Sequence, residues 1–297
     1  MEYCIIPGNP NIIPFPTKGQ IMKIGFVGDI HGRVFHTLSA VLTWQSILNR
    51  KLDLVIQVGD FGTFPEPDRL DPATSRFAQE DPTELDFSRL LNADNYLGSA
   101  LRDTRRQLLR PIHFIRGNHE DHAWLAELHV RQATSVSAVD RFDLFRHVED
   151  GVVLDFEAAR IAFLGGIEST DTDEQIYLEA YRTLKRMPAG FVDILVTHDA
   201  PFGIGTYRSQ PQGSPMISAL IETLQPRYHV AGHYHHMNGP RNYGKTVYLG
   251  LCCLLHPLRR DPTRSVQPGS LALLDTETDE FRHVTEDWLE KVRPQYP

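Results

Sequence analysis

Cysteine is scarce in this sequence, and its three cysteines do not form a disulfide pattern. Cys4 stands alone, whereas Cys252 and Cys253 are adjacent within the apolar run from Val247 to Leu255. Small secreted domains that depend on disulfides carry an even number of spaced cysteines. The cysteine content therefore excludes that class, and the apolar run predicts that the adjacent pair is buried as free thiols.

Long apolar runs are also missing. No segment approaches the roughly 20 consecutive apolar residues that a membrane helix requires. Residues 1–20 are rich in proline and lack the charged start and apolar core of a secretory signal, so we predict an irregular extension there. These absences predict a cytoplasmic protein without a membrane partner.

Positive charge is in deficit. The chain has 30 lysines and arginines against 38 aspartates and glutamates, a formal net charge of −8. This balance predicts no general basic surface for nucleic acid, although bound divalent ions would invert the field locally. A hydrophobic content of 41% is ordinary for a soluble globular protein, and we predict a single domain over residues 21–297.

Five short clusters of metal-ligand residues follow one another along the chain. Each contains aspartate, asparagine or histidine, and nearly every one comes directly after a short β-branched apolar run. The clusters are Asp29-Ile30-His31, Gly59-Asp60, Gly117-Asn118-His119-Glu120, His198-Asp199 and Gly232-His233-Tyr234-His235. Open α/β folds place their sites at the carboxyl ends of parallel strands. The series therefore predicts one shared site at such a sheet edge.

The segments between the clusters predict alternating strands and helices. The strands predicted ahead of a cluster are residues 22–27, 52–58, 111–115, 191–197 and 227–231. Helical apolar spacing covers residues 34–49, 121–129 and 214–224, the last with Ser214 as its cap. This alternation predicts an α/β fold with two packed sheets.

Residues 62–110 interrupt the alternation. Their first half is polar and rich in proline, and a helical pattern returns from Glu84 to Leu109. Long irregular segments in compact domains are usually lids or binding loops. We therefore predict an inserted lid segment over the site, with a solvated surface excursion as the alternative.

The ligand types indicate which ions would bind. Aspartate, histidine and asparagine suit Mn²⁺, Fe²⁺, Co²⁺, Ni²⁺ or Zn²⁺, and the absence of cysteine from the clusters argues against a structural zinc site. Asp29 and His31 are two residues apart, as are His233 and His235. An extended backbone would point the two side chains of each pair the same way. Two ions about 3.5–4 Å apart also need an anionic bridge.

The ordered series resembles the calcineurin-like metallophosphoesterase superfamily, whose pattern runs D-x-H, GD, GNH-[DE], H, G-H-x-H. The resemblance implies a four-layer α/β/β/α sandwich and a phosphoester hydrolase with two divalent ions, Mn²⁺ first among them. It implies that one ion binds Asp29, His31, Asp60 and His235. It implies that the other binds Asp60, Asn118, His198 and His233.

The same resemblance implies roles near the substrate. It makes His119 the residue that protonates the leaving group or steadies the phosphate, with Asn118 beside it and Glu120 or Asp121 to orient it. Arg33, directly after the first cluster, and His236, directly after the last, are predicted substrate contacts. The other histidines have no matching pattern and are predicted to be structural.

A second resemblance indicates the class of substrate. The Gly59-Asp60-Phe61-Gly62 segment lacks the aspartate and arginine that protein serine/threonine phosphatases carry there. Roughly residues 22–236 resemble the RNA lariat debranching enzymes, which hydrolyse a 2′,5′-phosphodiester. The likeness is carried by Gly59-Asp60-Phe61, Gly117-Asn118-His119-Glu120, Leu164-Gly165-Gly166-Ile167 and His198-Asp199-Ala200-Pro201. Those enzymes have cysteine where this chain has Asp29, and aspartate favours an ordinary two-metal site.

The sequence thus predicts a phosphodiesterase for a nucleotide or a nucleic-acid diester such as RNA, with no obligatory protein partner. The alternatives are a phosphomonoesterase for a small metabolite or a phosphoprotein, and a scaffold of the same fold without chemistry. Sequence alone leaves the choice between diester and monoester open.

Overall fold

The computed structural model describes residues 3–4, 21–156, 158–207, 209–294 and 296 of the chain. Its strands, numbered in chain order, are β1 (Tyr3–Cys4), β2 (Lys23–Val27), β3 (Leu54–Gln57), β4 (Ile112–Phe114), β5 (Val136–Ala138), β6 (Phe145–Val148), β7 (Val153–Asp155), β8 (Arg160–Leu164), β9 (Ile194–Thr197), β10 (Thr206–Tyr207), β11 (Gln210–Pro211), β12 (Tyr228–Ala231), β13 (Asn238–Tyr243), β14 (Thr246–Gly250), β15 (Leu271–Asp275) and β16 (Glu280–Val284).

The helices connect these strands. They are α1 (Val34–Leu48), α2 (Pro72–Glu80), α3 (Asp86–Leu91), α4 (Asn95–Gln107), α5 (His122–Gln132), α6 (Leu178–Lys185) and α7 (Pro215–Leu224), with 3-10 turns at Pro67–Arg69, Pro82–Leu85 and Asp287–Lys291. No helix in the described part of the chain is both long and apolar enough to cross a bilayer.

Two seven-stranded sheets form the centre of the molecule. The first has the order β16-β15-β2-β3-β4-β6-β5, and the second has the order β1-β7-β8-β9-β12-β14-β13. The strands β2, β3, β4 and β6 are parallel, as are β8, β9, β12 and β14. All five strands predicted ahead of a ligand cluster are present, each somewhat shorter than predicted, and all belong to these parallel runs.

Three apolar clusters show how the layers pack. Between the sheets, β2 and β3 of the first sheet contribute Phe26 and Ile56, which pack with Phe163 and Val196 of β8 and β9. The opposite face of the first sheet packs on α1, α3, α4 and α5, and that of the second sheet packs on α6 and α7. The predicted four-layer α/β/β/α sandwich is therefore confirmed.

The predicted helices at α1, α5 and α7 are confirmed as well. Ser214 caps α7 as predicted, because its Oγ accepts a hydrogen bond from the Ile217 N–H at 3.2 Å and Pro215 occupies the first helical position. At the start of the chain, Tyr3–Cys4 pairs with β7 as a short strand rather than forming irregular chain. The remainder of the predicted extension, residues 5–20, lies outside the described residues.

The segment 62–110 has two structurally different halves. Its second half forms α3 and α4, whose Phe87, Leu90 and Leu101 are fully buried in the helix layer against the first sheet. Its first half forms α2, which begins at Pro72 near the ligand clusters. The second half is therefore part of the core and cannot act as a lid. For α2, in the first half, the lid role stays a prediction.

A buried ion-pair network ties this segment to the start of α1. The Arg33 guanidinium donates to Asp81 at 3.0 and 3.2 Å and to Glu84 at 2.7 Å, and Arg264 donates to Asp81 at 2.7 Å. Burial raises the pKa of Glu84 from 4.5 to about 7, although Arg33 lowers it. Glu84 is therefore a group whose protonation is linked to folding.

This linkage predicts how stability depends on pH. Between pH 4.5 and about 7 the folded protein keeps a proton on Glu84 that the unfolded chain has released. The contribution of Glu84 to the free energy of unfolding is therefore complete below pH 4.5. It is lost as pH rises through 7, and the loss is up to about 3 kcal/mol. In urea unfolding across this pH range, the free energy of unfolding is expected to decline less with rising pH for Glu84→Gln than for the parent protein. The exposed Glu80→Gln should retain the parent's slope, and equal slopes for parent and Glu84→Gln would mean that Glu84 is ionised in the folded state.

Candidate metal centre

The ligand clusters meet where parallel strands of both sheets end. Asp29 follows β2, Asp60 follows β3 and Asn118 follows β4 in the first sheet. His198 follows β9 and His233 follows β12 in the second sheet. Because the two sheets pack face to face, their carboxyl ends place these side chains around one cleft, as the sequence predicted.

One group of donors comes together around Asp29. The Nε2 of His235 lies 3.0 Å from Asp29 Oδ2 and 3.0 Å from the Nε2 of His31. The Nε2 of His31 lies 4.0 Å from Asp60 Oδ2. One donor atom from each of these four residues lies within 4.8 Å of the other three, which is close enough for all of them to reach one ion.

A second group comes together on the other side of Asp60. Its three members, Asp60, His198 and His233, also place one donor atom each within 4.8 Å of the others. The Nε2 of His198 lies 3.2 Å from Asp60 Oδ1 and 3.2 Å from Asn118 Oδ1. Asp60 belongs to both groups, so its two carboxylate oxygens face different donor sets. The structure thus brings all seven predicted ligands together, and their assignment to particular ions stays a prediction.

The backbone reaches this arrangement in a way that the sequence analysis did not anticipate. His31, Asp60, His233 and His235 have φ angles of 45°, 50°, 69° and 54°, which is left-handed conformation rather than the predicted extended chain. His233 and His235 therefore do not point the same way, and they fall in the two different donor groups to which the family resemblance also assigns them. Each such non-glycine residue costs about 1–2 kcal/mol, and this kind of strain concentrates at functional sites.

Two glycines permit the close approach of the ligands. A Cβ atom on Gly117 would lie 2.1 Å from Asp60 Oδ1, and one on Gly232 would lie 2.1 Å from Asp29 Oδ1. Both distances are far inside van der Waals contact. Only glycine therefore fits at these two positions without displacing a ligand carboxylate.

The donor set fits two divalent ions. Burial lowers the pKa of His31 and lowers that of His233 to about 3, so both imidazoles are neutral near pH 7 and offer a lone pair. Burial by itself would also lower the pKa of His198, but the Asp60 carboxylate and the hydrogen bond to it raise the pKa to about 10. Ligand imidazoles must be neutral, so binding at His198 releases a proton.

Glu120 has a structural role here, not the catalytic role that the sequence predicted. Its carboxylate accepts backbone N–H hydrogen bonds from Phe61 at 2.7 Å, Gly62 at 3.0 Å and Thr63 at 2.8 Å, and the Thr63 hydroxyl donates to it at 2.6 Å. The side chain is buried, and both of its carboxylate oxygens bind the turn after Asp60. It therefore positions a ligand loop and does not orient His119.

His119 is oriented by a residue that the sequence analysis missed. Its Nδ1 lies 3.2 Å from Oδ2 of Asp71, the residue that caps α2 by accepting from the Ala73 and Thr74 N–H groups. Burial lowers the pKa of His119, but the Asp60 charge and the Asp71 hydrogen bond outweigh it and raise the pKa to about 9. An aspartate before proline does indicate a helix start. Nothing local indicates that this cap faces a histidine 48 residues away.

The other predicted contacts have different surroundings. Asp121, the alternative partner for His119, pairs with Arg69 and accepts from the Trp124 N–H at 3.0 Å. Arg33 was predicted to contact phosphate, but the structure gives its guanidinium carboxylate partners in the buried network described above. The Nδ1 of His236 lies 2.8 Å from the Tyr234 carbonyl oxygen, and the substrate contact of this histidine stays a prediction.

A cavity of about 110 Å³ opens beside the first donor group. His31, His119 and His235 border it on the metal side. The apolar part of its lining includes Ala73 and Phe77 of α2 together with Leu255 and Pro257. The predicted lid helix therefore forms a wall of the space next to the candidate ligands.

A comparison with known proteins identifies relatives for this chain. A family model described as calcineurin-like phosphoesterase matches residues 22–237, which include all five ligand clusters. UPF0046 protein T07D4.2 of Caenorhabditis elegans is 27% identical over 141 residues, covering 44% of this chain and 34% of that protein. UPF0046 protein C25E10.12 of the same organism is 29% identical over 75 residues, covering 23% of this chain and 27% of that protein. The chain thus spans about a third or less of the length of these curated relatives.

Solved structures resemble it in fold. The crystal structure of TT1561 of Thermus thermophilus has a TM-score of 0.50 and 13% sequence identity, covering 90% of this chain and 99% of that chain. At this identity the likeness concerns the fold alone.

Proposed function

The chain belongs to the calcineurin-like phosphoesterase family, and from this premise we propose that it is a metal-dependent phosphodiesterase acting on a nucleotide or a nucleic-acid diester. The observation that carries the proposal is the pair of carboxylate–imidazole donor groups that share Asp60. A shared carboxylate between two such groups is what a two-metal hydrolytic site requires.

The residues that would hold the ions follow from the two donor groups. Asp29, His31, Asp60 and His235 would hold one ion, and Asp60, Asn118, His198 and His233 would hold the other. Mn²⁺ is our first choice, with Fe²⁺, Zn²⁺, Ni²⁺ or Co²⁺ as alternatives that the same donors accept. When bound, two such ions lower the pKa of water and neutralise charge on phosphoryl oxygens.

The chain's own contribution to the chemistry would come from His119. Its ring centroid lies 5.6 Å from that of His31, so it stands directly beside the donor groups. With Nδ1 held by Asp71, the tautomer and orientation of the ring are fixed and Nε2 is left for the substrate. We assign His119 the protonation of the leaving oxygen and Asp71 the positioning of His119.

Charge in the cavity favours a diester over a monoester. A phosphomonoester is a dianion near neutral pH, whereas a diester carries one negative charge. Among the described residues that line the cavity, Arg33 supplies the one permanent positive charge, and the Asp81 carboxylate already pairs with it. The apolar wall suits a second ester substituent, which a diester has and a monoester lacks.

The rim of the cavity supports a nucleotide or nucleic-acid substrate. Arg76 and Arg259 are exposed and lie with their guanidinium carbons 5.0 and 5.7 Å from the ring centroid of Phe77. Two cations at the edge of an apolar wall would attract a further phosphate of the substrate. This local positive charge contrasts with the net charge of −8 of the whole chain.

The proposal is tested by comparing a diester and a monoester with the same leaving group. Metal-stripped protein titrated with Mn²⁺ is expected to hydrolyse bis-p-nitrophenyl phosphate with a kcat/KM at least about 10-fold above that for p-nitrophenyl phosphate. The rates should rise together with metal occupancy. The next substrates to compare would be 2′,5′-linked and cyclic nucleotides.

A matched pair of variants tests the apolar wall. Phe77→Ala is expected to lower the diester preference while leaving metal content unchanged, whereas Phe202→Ala, an exposed phenylalanine outside the cavity lining, should keep the preference. A monoester preference in the parent protein would replace this proposal with a phosphomonoesterase. Two bound ions without turnover of either ester would indicate a scaffold of the same fold that has no catalytic activity.

A further inference from the structure

A third group of potential ligands lies outside the two donor groups already described. It consists of Cys252 and Cys253, both buried with free thiols, and the half-buried His256. One sulfur or nitrogen atom from each lies within 4.8 Å of the other two. The apolar run around the two cysteines predicts buried thiols, but no local pattern joins them to a histidine.

The spacing of Cys253 and His256 is close to that of two ligands in a tetrahedral thiolate–imidazole site. Cys253 Sγ lies 3.4 Å from Nδ1 of His256. In a tetrahedral zinc site, with Zn–S of about 2.3 Å and Zn–N of about 2.0–2.1 Å, the sulfur and nitrogen are about 3.6 Å apart. An ion can therefore enter with shifts of a few tenths of an ångström between these two ligands.

The position of the group links it to the cavity and to the candidate metal centre. Cys253 lines the same cavity as His31, His119 and His235, so an ion can reach its thiol from there. The Leu254 N–H donates to the Asp29 carbonyl at 2.8 Å. The Cys252 thiol donates to the His235 carbonyl at 3.2 Å.

We propose that Cys252, Cys253 and His256 form a site for one thiophilic cation, with Zn²⁺ and Cd²⁺ as the chemical class. Thiolates select soft or borderline ions over Mn²⁺ or Mg²⁺, so this site and the two-ion centre favour different metals. Binding releases the two thiol protons to solvent and forms two metal–sulfur bonds and one metal–nitrogen bond, with no change of oxidation state. Solvent from the cavity completes the coordination.

The test uses Cd²⁺ as the probe with reduced protein saturated with Mn²⁺ and kept reduced by a phosphine that does not chelate metals. One equivalent of Cd²⁺ is expected to produce the ultraviolet thiolate-to-cadmium charge-transfer band. None of the ligands proposed for the two-ion centre is a cysteine, so the band reports the thiolate site whether or not the proposed function is correct. Alkylation of Cys252 and Cys253 should slow in parallel.

Four variants decide the ligands. Cys252→Ser and Cys253→Ser are expected to bind Cd²⁺ at least about 10-fold more weakly, and His256→Ala should weaken binding while keeping the band. Cys4→Ser, the third cysteine of the sequence, is the matched control and should behave as the parent. Absence of the band from folded parent protein would overturn the proposal, as would a parent-like Cd²⁺ affinity in Cys252→Ser and Cys253→Ser or loss of the band in Cys4→Ser.

Discussion

Replacement of Asp60 by asparagine is expected to weaken both metal sites and to cause a large loss of turnover while leaving the fold intact. The carboxylate faces both donor groups, with His198 Nε2 3.2 Å from Oδ1 and His31 Nε2 4.0 Å from Oδ2. An asparagine keeps one oxygen for the N–H groups of Asn118 and His119, which donate to Oδ1 at 2.8 and 2.9 Å. Its amide nitrogen, however, cannot bind a cation, and its neutral side chain cannot bridge two of them.

The expected magnitude is large because both ions depend on this one charge. Metal content measured on dialysed protein should fall from two ions per chain to fewer than one, and kcat should fall by at least about 10³-fold. A matched control is Asp140→Asn, because Asp140 is also a buried aspartate that accepts backbone N–H hydrogen bonds, from Phe142, Leu144 and Phe145. That variant should lose stability but keep both ions. Two tightly bound ions in Asp60→Asn would rule out the bridging role.

Replacement of His119 by alanine is expected to stop turnover of esters with poor leaving groups without removing metal. His119 is not a member of either donor group, so metal content should equal that of the parent. A general acid contributes about 10²–10⁴-fold to rate, and this help matters most when the leaving oxygen is strongly basic. The rate with an alkyl leaving group should therefore fall by roughly 10²–10³-fold, and the rate with p-nitrophenolate should fall much less.

Asp71→Asn separates the positioning of His119 from its chemistry. Asparagine caps a helix as well as aspartate does, so α2 should keep its start at Pro72. The variant loses only the negative charge next to His119 Nδ1. We expect about a 10-fold loss with the alkyl ester, between the parent and His119→Ala. A rate for His119→Ala equal to that of the parent on the alkyl ester would remove the histidine from the proposed chemistry.

The sequence contained enough information to locate the site. Each ligand cluster directly follows a short apolar strand, and strand, loop and helix alternate in a way that only a parallel sheet accommodates. The strands β2, β3, β4, β9 and β12 formed where that pattern predicted, and seven predicted ligands meet in one cleft. Residue type and position after a strand are local properties, and local properties can be read from a chain.

The partners of the charged side chains could not be read in this way. Asp71 reaches His119, Glu120 holds the turn from Phe61 to Thr63, and Arg33 pairs with residues about 50 positions away. Likewise His31, His233 and His235 have a left-handed backbone where the sequence predicted an extended one.

The sequence by itself thus determined the alternation of strands and helices and the five clusters that supply the candidate ligands, because periodicity and ligand chemistry act over a few residues. Only the tertiary structure decided which carboxylate neutralises which cation, and which thiols lie beside His256. Those pairings depend on how separate segments of the chain pack against one another, and no local pattern records that packing.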